Sequence, residues 1–124
     1  MAKEIKSKLP TKDEAEQFDM LYPMLKADLD EMKELSKKKQ DGVLNTFKAK
    51  SINKKLSKIK AILANEPTIE FLDLIDEEVL PTNSDAVLVL TQYKTALEHF
   101  KKKHSESSEN TFDYWTNPSW KTKG

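Results

Sequence analysis

The sequence has no cysteine and very little glycine. Of its 124 residues none is cysteine, and glycine stands only at Gly42 and Gly124. The chain therefore has no disulfide framework and no thiolate nucleophile, which suits a reducing cytosol. With so few glycines, a glycine-rich loop that cradles phosphate is excluded.

Long apolar runs are also missing. The first ten residues, MAKEIKSKLP, carry charges where a signal peptide would be apolar, and no stretch approaches the ~20 apolar residues of a membrane span. We therefore expect a cytoplasmic protein that has no membrane segment.

Arginine is absent as well, since all 21 basic residues are lysine. The planar guanidinium that binds phosphate, carboxylate or guanine in bidentate fashion is therefore lacking, which disfavours sequence-specific DNA binding. A biased base composition of the coding sequence would give the same lysine preference, and both explanations stay open. Because 21 acidic residues balance the basic ones, no overall charge steers the chain toward an anionic partner.

What the sequence does have is helical periodicity. With 37% hydrophobic and 34% charged residues, it predicts an all-α fold, a compact bundle of about four helices. We expect a flexible N-terminal segment over 1–10, the helical bundle over 11–104, and a polar linker with an aromatic C-terminal segment over 105–124.

Two long helices are predicted first along the chain. Thr11 and Glu14 form a capping-box pattern that starts helix one near residue 12. Pro23 lies inside it and predicts either a kink or two abutting helices. After Gly42 a second helix should run to about Asn65 and pair antiparallel with the first.

Two further helices are predicted after Pro67. The third should run from about Thr68 to Pro81, with Phe71, Leu72, Ile75 and Val79 on its inner face. The sequence TNSD then offers caps for a fourth helix that ends near residue 104. Its stretch 87–90 would also suit a buried strand, but the apolar stripe continues for three turns beyond it.

Residues that could do chemistry are few. His99 and His104 are five apart, which is poor spacing for one site, and His104 is better explained as a partly buried structural residue than as a general base. The acidic residues of the third segment match no calcium-binding loop and are expected to form a solvated helix face; they are Glu70, Asp73, Asp76, Glu77 and Glu78. We expect no catalytic residue, no metal and no cofactor.

Surface lysines form a row on helix two. Lys50, Lys54 and Lys58 repeat every four residues, with Lys55 beside them. Such a row could follow a phosphate backbone and use Phe47 for stacking, although solubility alone explains exposed lysines. Phe47 lies off the apolar stripe of its helix, so either the other helices cover it or it belongs to an interface.

Large aromatic side chains are concentrated after the last helix, in TFDYWTNPSW. This stretch, residues 111–120, holds both tryptophans of the chain, and its aromatic residues are Phe112, Tyr114, Trp115 and Trp120. It either folds back into a groove of its own bundle or docks in a pocket of another protein, where aromatic residues dominate binding energy.

The function that these features favour is binding rather than catalysis. We expect a small accessory or regulatory protein that contacts a protein partner through Phe112, Tyr114, Trp115, Trp120 and Phe47. One alternative is a weak, sequence-tolerant nucleic-acid binder that uses the lysine row. Another is a homo-oligomer in which the acidic third segment meets the basic second helix of a neighbour.

Overall fold

The structure, a computed structural model, describes residues 10–106, with side chains up to residue 104. Helix α1 spans Lys12–Lys38, α2 spans Thr46–Ile62, a short 3₁₀ helix spans Pro67–Phe71, and α3 spans Asn83–Glu106. The predicted all-α class is confirmed. The predicted number of helices is wrong, because the described residues form three α-helices rather than about four.

Helix α1 begins where the capping box placed it. The Thr11 hydroxyl accepts from the Glu14 amide and the Glu14 carboxylate accepts from the Thr11 amide, both at 3.0 Å. The helix continues without a break through Pro23 to Lys38, so the alternative of two abutting helices is wrong. A bend at Pro23 stays a prediction.

The α1–α2 hairpin is antiparallel, as predicted. Lys48, early in α2, pairs with Glu31 late in α1, and Lys55, further along α2, pairs with Asp28, closer to the start of α1. Residue numbers thus rise on one helix as they fall on the other. The short connection after α1 leaves no other arrangement for neighbouring helices.

Helix α3 also lies antiparallel to α1. Near one end the Asn83 side chain donates to the Lys39 carbonyl at 2.9 Å, and near the other the rings of Phe18 and Phe100 lie 6.0 Å apart. Thr82 caps α3 by accepting from the Asp85 amide. Residues 87–90 are helical, so the strand alternative for them is wrong.

One hydrophobic core lies between the helices. Its buried members come from the predicted stripes of α1, α2 and α3 and from the stretch after the 3₁₀ helix; the largest that are almost fully buried are Tyr93, Phe18, Leu25, Met32, Leu44, Leu56, Ile59, Leu63, Leu90 and Leu97. Burial of this apolar surface is the main favourable contribution to folding.

The predicted third helix is wrong beyond its first turn. After the 3₁₀ helix, segment 72–81 has neither helix nor strand and runs back along α2. Of the predicted inner face, Leu72 and Ile75 are buried, but Phe71 is 64% and Val79 76% exposed. The acidic side chains of this segment would repel one another at helical spacing, which helps to explain why no helix forms.

Bonds from other elements replace the missing helical hydrogen bonds. The Asn53 side chain on α2 accepts from the Ile75 amide at 2.9 Å and donates to the Ile75 carbonyl at 2.8 Å. Lys60 donates to the Leu72 carbonyl and Tyr93 to the Asp73 carbonyl. Buried backbone groups need such partners, so segment 72–81 is held by tertiary hydrogen bonds.

Candidate functional site

Three large apolar side chains are exposed at one end of the molecule, near the start of α2. Phe47 is 79%, Val43 66% and Val79 76% exposed. We call these three residues the Phe47 surface. The alternative in which other helices cover Phe47 is therefore wrong within the part of the chain that the structure describes.

Local hydrogen bonding fixes the position of Phe47. The Asn45 side chain caps α2 by accepting from the Lys48 amide at 3.1 Å. The helix therefore begins with Phe47 in its first turn, while Ala49 and Ile52 point into the core. Phe47 falls outside this buried stripe and lies in solvent.

Segment 72–81 brings Val79 to the same region. The Lys50 ammonium pairs with the Glu77 carboxylate at 3.0 Å, and the Leu44 amide donates to the Pro81 carbonyl at 2.8 Å. Between these two contacts the segment runs antiparallel to the first turn of α2. Val79 lies midway along it, beside that turn.

Ion pairs flank the Phe47 surface. Lys48 pairs with Glu31 of α1 on one side, and Lys50 pairs with Glu77 on the other. The hydrogen bond from Asn53, and then that from Lys50, hold the pKa of the Glu77 carboxyl below its usual range. An apolar centre with a polar rim is the usual anatomy of a protein–protein contact.

The lysine row is partly neutralised within the chain. Lys55 pairs with Asp28 at 2.8 Å, and Lys50 pairs with Glu77. Lys54 and Lys58 are exposed, and neither forms an ion pair among the residues described. Two of the four lysines therefore offer less positive charge to a phosphate backbone than the sequence alone indicates.

The acidic cluster contacts basic α2 of its own chain. Glu77 binds Lys50 and Asn53, while the Asp76 carboxylate accepts from the amides of Glu78 and Val79. These two backbone hydrogen bonds, led by that from Val79, lower the pKa of the Asp76 carboxyl. Within residues 10–104, no group of three or more acidic or histidine side chains could hold a metal ion.

A groove lies between the start of α1 and the end of α3, at the end of this helix pair opposite to the Phe47 surface. It has a volume of about 340 Å³ and is lined by Phe18, Tyr22, Glu98, Lys101 and Lys102; we call it the α1–α3 groove. Tyr22 donates a hydrogen bond to the Glu98 carboxylate. Burial, this hydrogen bond and the nearby negative charge raise the pKa of Tyr22 to about 12.

A buried charged group joins the 3₁₀ region to α3. The Glu66 carboxylate, on a residue only 6% exposed, lies 3.1 Å from the His104 imidazole and 3.1 Å from the Lys103 ammonium. Burial raises the pKa of the Glu66 carboxyl, but its hydrogen bonds to His104 and Lys103 outweigh burial and bring the pKa below its usual range. The predicted burial of His104 is confirmed at 3% exposure.

Sequence reasoning missed two buried polar residues that join parts of the fold. Asn53 holds segment 72–81 against α2, and Glu66 joins the turn after α2 to α3. Asn53 stands next to Ile52 on the buried side of α2, and an amide among apolar positions signals a specific buried partner. Glu66 precedes Pro67 and gave no comparable signal. The aromatic residues Phe112, Tyr114, Trp115 and Trp120 lie outside the described residues.

Comparison with known proteins gives no relative for this chain. No protein-family model, no curated protein and no solved structure matches it. Within residues 10–106, none of the helices is both long enough and apolar enough to cross a lipid bilayer.

Proposed function

We propose that this chain is a non-catalytic helical accessory or regulatory protein of the cytoplasm that acts by binding another protein. Its contact elements are the Phe47 surface and the aromatic segment, residues 111–120. The observation that carries the proposal is the exposure of Phe47, which lies in water on a capped helix whose other large apolar side chains are all buried.

The chemistry of the surface defines the kind of partner. A phenyl ring at the centre of a contact gains most when it enters an apolar pocket and loses its hydration. The flanking pairs Lys48–Glu31 and Lys50–Glu77 carry both signs of charge. The partner is therefore a protein with an apolar pocket for one aromatic side chain and a polar rim of mixed charge.

The self-assembly alternative is less favoured. It requires the acidic segment of one copy to meet α2 of the next, but Glu77 and Lys50 already pair within one chain. The nucleic-acid alternative retains Lys54 and Lys58 as exposed cations.

A differential binding experiment tests the proposal. The intact chain and its Phe47→Ala variant are immobilised, and the proteins retained by each are quantified by mass spectrometry. A protein lost with the variant is then purified and titrated against both chains. We expect Phe47→Ala to weaken its affinity by about tenfold or more, which corresponds to about 1.4 kcal/mol.

The matched control is Leu88→Ala, which removes another exposed apolar side chain, on α3. It should leave the affinity unchanged. Equal binding by all three chains would overturn the proposed role of Phe47. Binding of a single-stranded oligonucleotide that falls steeply with salt and with Lys54→Glu/Lys58→Glu would instead support the nucleic-acid alternative.

A further inference from the structure

We infer that the aromatic segment, residues 111–120, docks in the α1–α3 groove of its own chain. The docking itself does not require the proposed function. One regulatory consequence does rest on the proposed function. A partner that binds the aromatic segment must first displace this segment from the groove.

The groove offers aromatic and charged contacts together. The rings of Phe18 and Tyr22 stack with their centroids 5.7 Å apart. The Lys26 ammonium lies 5.7 Å from the centre of the Tyr22 ring, and the Lys101 ammonium lies 5.9 Å from that of Phe18. Because Phe18 is only 2% exposed, the ring that a peptide can contact is that of Tyr22. An aromatic ring beside ammonium groups suits a peptide that combines aromatic and acidic side chains.

The charge of the groove is complementary to the segment. Lys102 lines it, and the one carboxylate in its lining, that of Glu98, is already paired with Lys94 at 2.9 Å. The segment, residues 111–120, contains one acidic residue, Asp113, and no basic one, and Glu109 stands two residues before it. Opposite charges at short range orient the segment without the need for a large apolar contact.

The chain also leaves α3 at the right place. Helix α3 ends at Glu106, four residues after Lys102, which is about 6 Å along the helix axis. Phe112 follows six residues later, and an extended stretch of that length reaches about 20 Å. A single reversal of the chain therefore brings the aromatic residues onto the groove.

A second groove is a weaker candidate for the same segment. It lies between the 3₁₀ helix and α3, has a volume of about 320 Å³, and is lined by Thr68, Phe71, Leu72, Thr91, Gln92, Thr95 and Ala96. It carries no charged side chain to meet Glu109 or Asp113. It is also further from the end of α3, since Thr95 lies about 16 Å from Glu106 along the helix axis.

Tryptophan fluorescence with acrylamide quenching tests the inference, because both tryptophans of the chain lie in the segment. We expect the intact chain to show blue-shifted emission that is protected from quenching at every protein concentration. In Lys26→Glu/Lys102→Glu the emission should shift to the red and become easily quenched. Adding Glu109→Lys/Asp113→Lys to that variant should restore protection, because the charges are then exchanged rather than removed.

The matched control is Lys54→Glu/Lys58→Glu, which changes the charge equally on the exposed face of α2 and should leave the emission unchanged. Far-UV circular dichroism verifies that each variant keeps its helices. Easily quenched tryptophans in the intact chain would overturn the inference. Protection that survives Lys26→Glu/Lys102→Glu would also overturn it and would indicate docking in the second groove. Protection that is lost on dilution would overturn it as well and would indicate docking on another copy of the chain. Partner affinity is measured separately with Phe47→Ala, so failure of either proposal is recognised independently.

Discussion

The α1–α3 pair and segment 72–81 are both rich in apolar residues, yet they fold in different ways. In α1 and α3 most backbone groups away from the helix ends are satisfied inside their own helix. The two helices meet through buried side chains such as Leu25 and Tyr93. In segment 72–81 the backbone groups are satisfied by Asn53, Lys60 and Tyr93. Local hydrogen bonding supports the first region, and contacts remote in sequence support the second.

The difference has a consequence for function. Val79, the third residue of the Phe47 surface, lies on segment 72–81, which follows α2 without forming a helix. A surface built in this way depends on a few polar contacts, so it can loosen while the helices stay folded.

The largest expected effect on stability comes from weakening the packing between α1 and α3. Leu25→Ala removes a fully buried side chain of α1 and should lower the free energy of unfolding by about 2–5 kcal/mol, because it leaves a cavity. Chemical denaturation measures this loss. The neighbouring Met24→Ala is the control, since Met24 is exposed and its loss should cost less than about 0.5 kcal/mol. A similar loss for both variants would contradict the assigned core.

A smaller effect on stability is expected from removing hydrogen bonds that hold segment 72–81. Asn53→Ala removes both side-chain hydrogen bonds to Ile75 and should cost about 1–3 kcal/mol, because the amide and carbonyl of Ile75 lose their partners. Hydrogen exchange should accelerate at the Ile75 amide and much less at amides within α1. Equal acceleration in both places would show that the two regions unfold as one unit.

The smallest effect concerns Glu66, which joins the turn after α2 to α3. Its folded-state pKa lies below the ordinary value of 4.5, so its ionised form stabilises the fold above that pH, and the stabilisation is lost as pH falls below it. Glu66→Gln should therefore cost about 1–2 kcal/mol near pH 6, and the difference from the intact chain should shrink as the pH falls below 4.5. Denaturation at a series of pH values measures this. A difference that does not change with pH would contradict an ionised Glu66.

Much of the fold could be predicted from residue spacing. The capping box at Thr11 and Glu14, the apolar stripe of α2 and the helix over residues 87–90 are local patterns, and each lies where it was predicted. The candidate site was harder to predict. Phe47 was identified because it falls outside its stripe, whereas Val79 was assigned to a buried face on the assumption of a helix that does not form.

The sequence by itself determined α1, α2 and α3, because capping and 3.6-residue periodicity act within one turn, although the same periodicity also predicted a helix over 72–81 that does not form. It also placed both tryptophans after α3 in the chain. Only the tertiary structure decided the path of segment 72–81 and the pairing of His104 with Glu66. These features depend on partners 12 to 38 positions away in the chain, and residue spacing carries no signal for contacts at that separation.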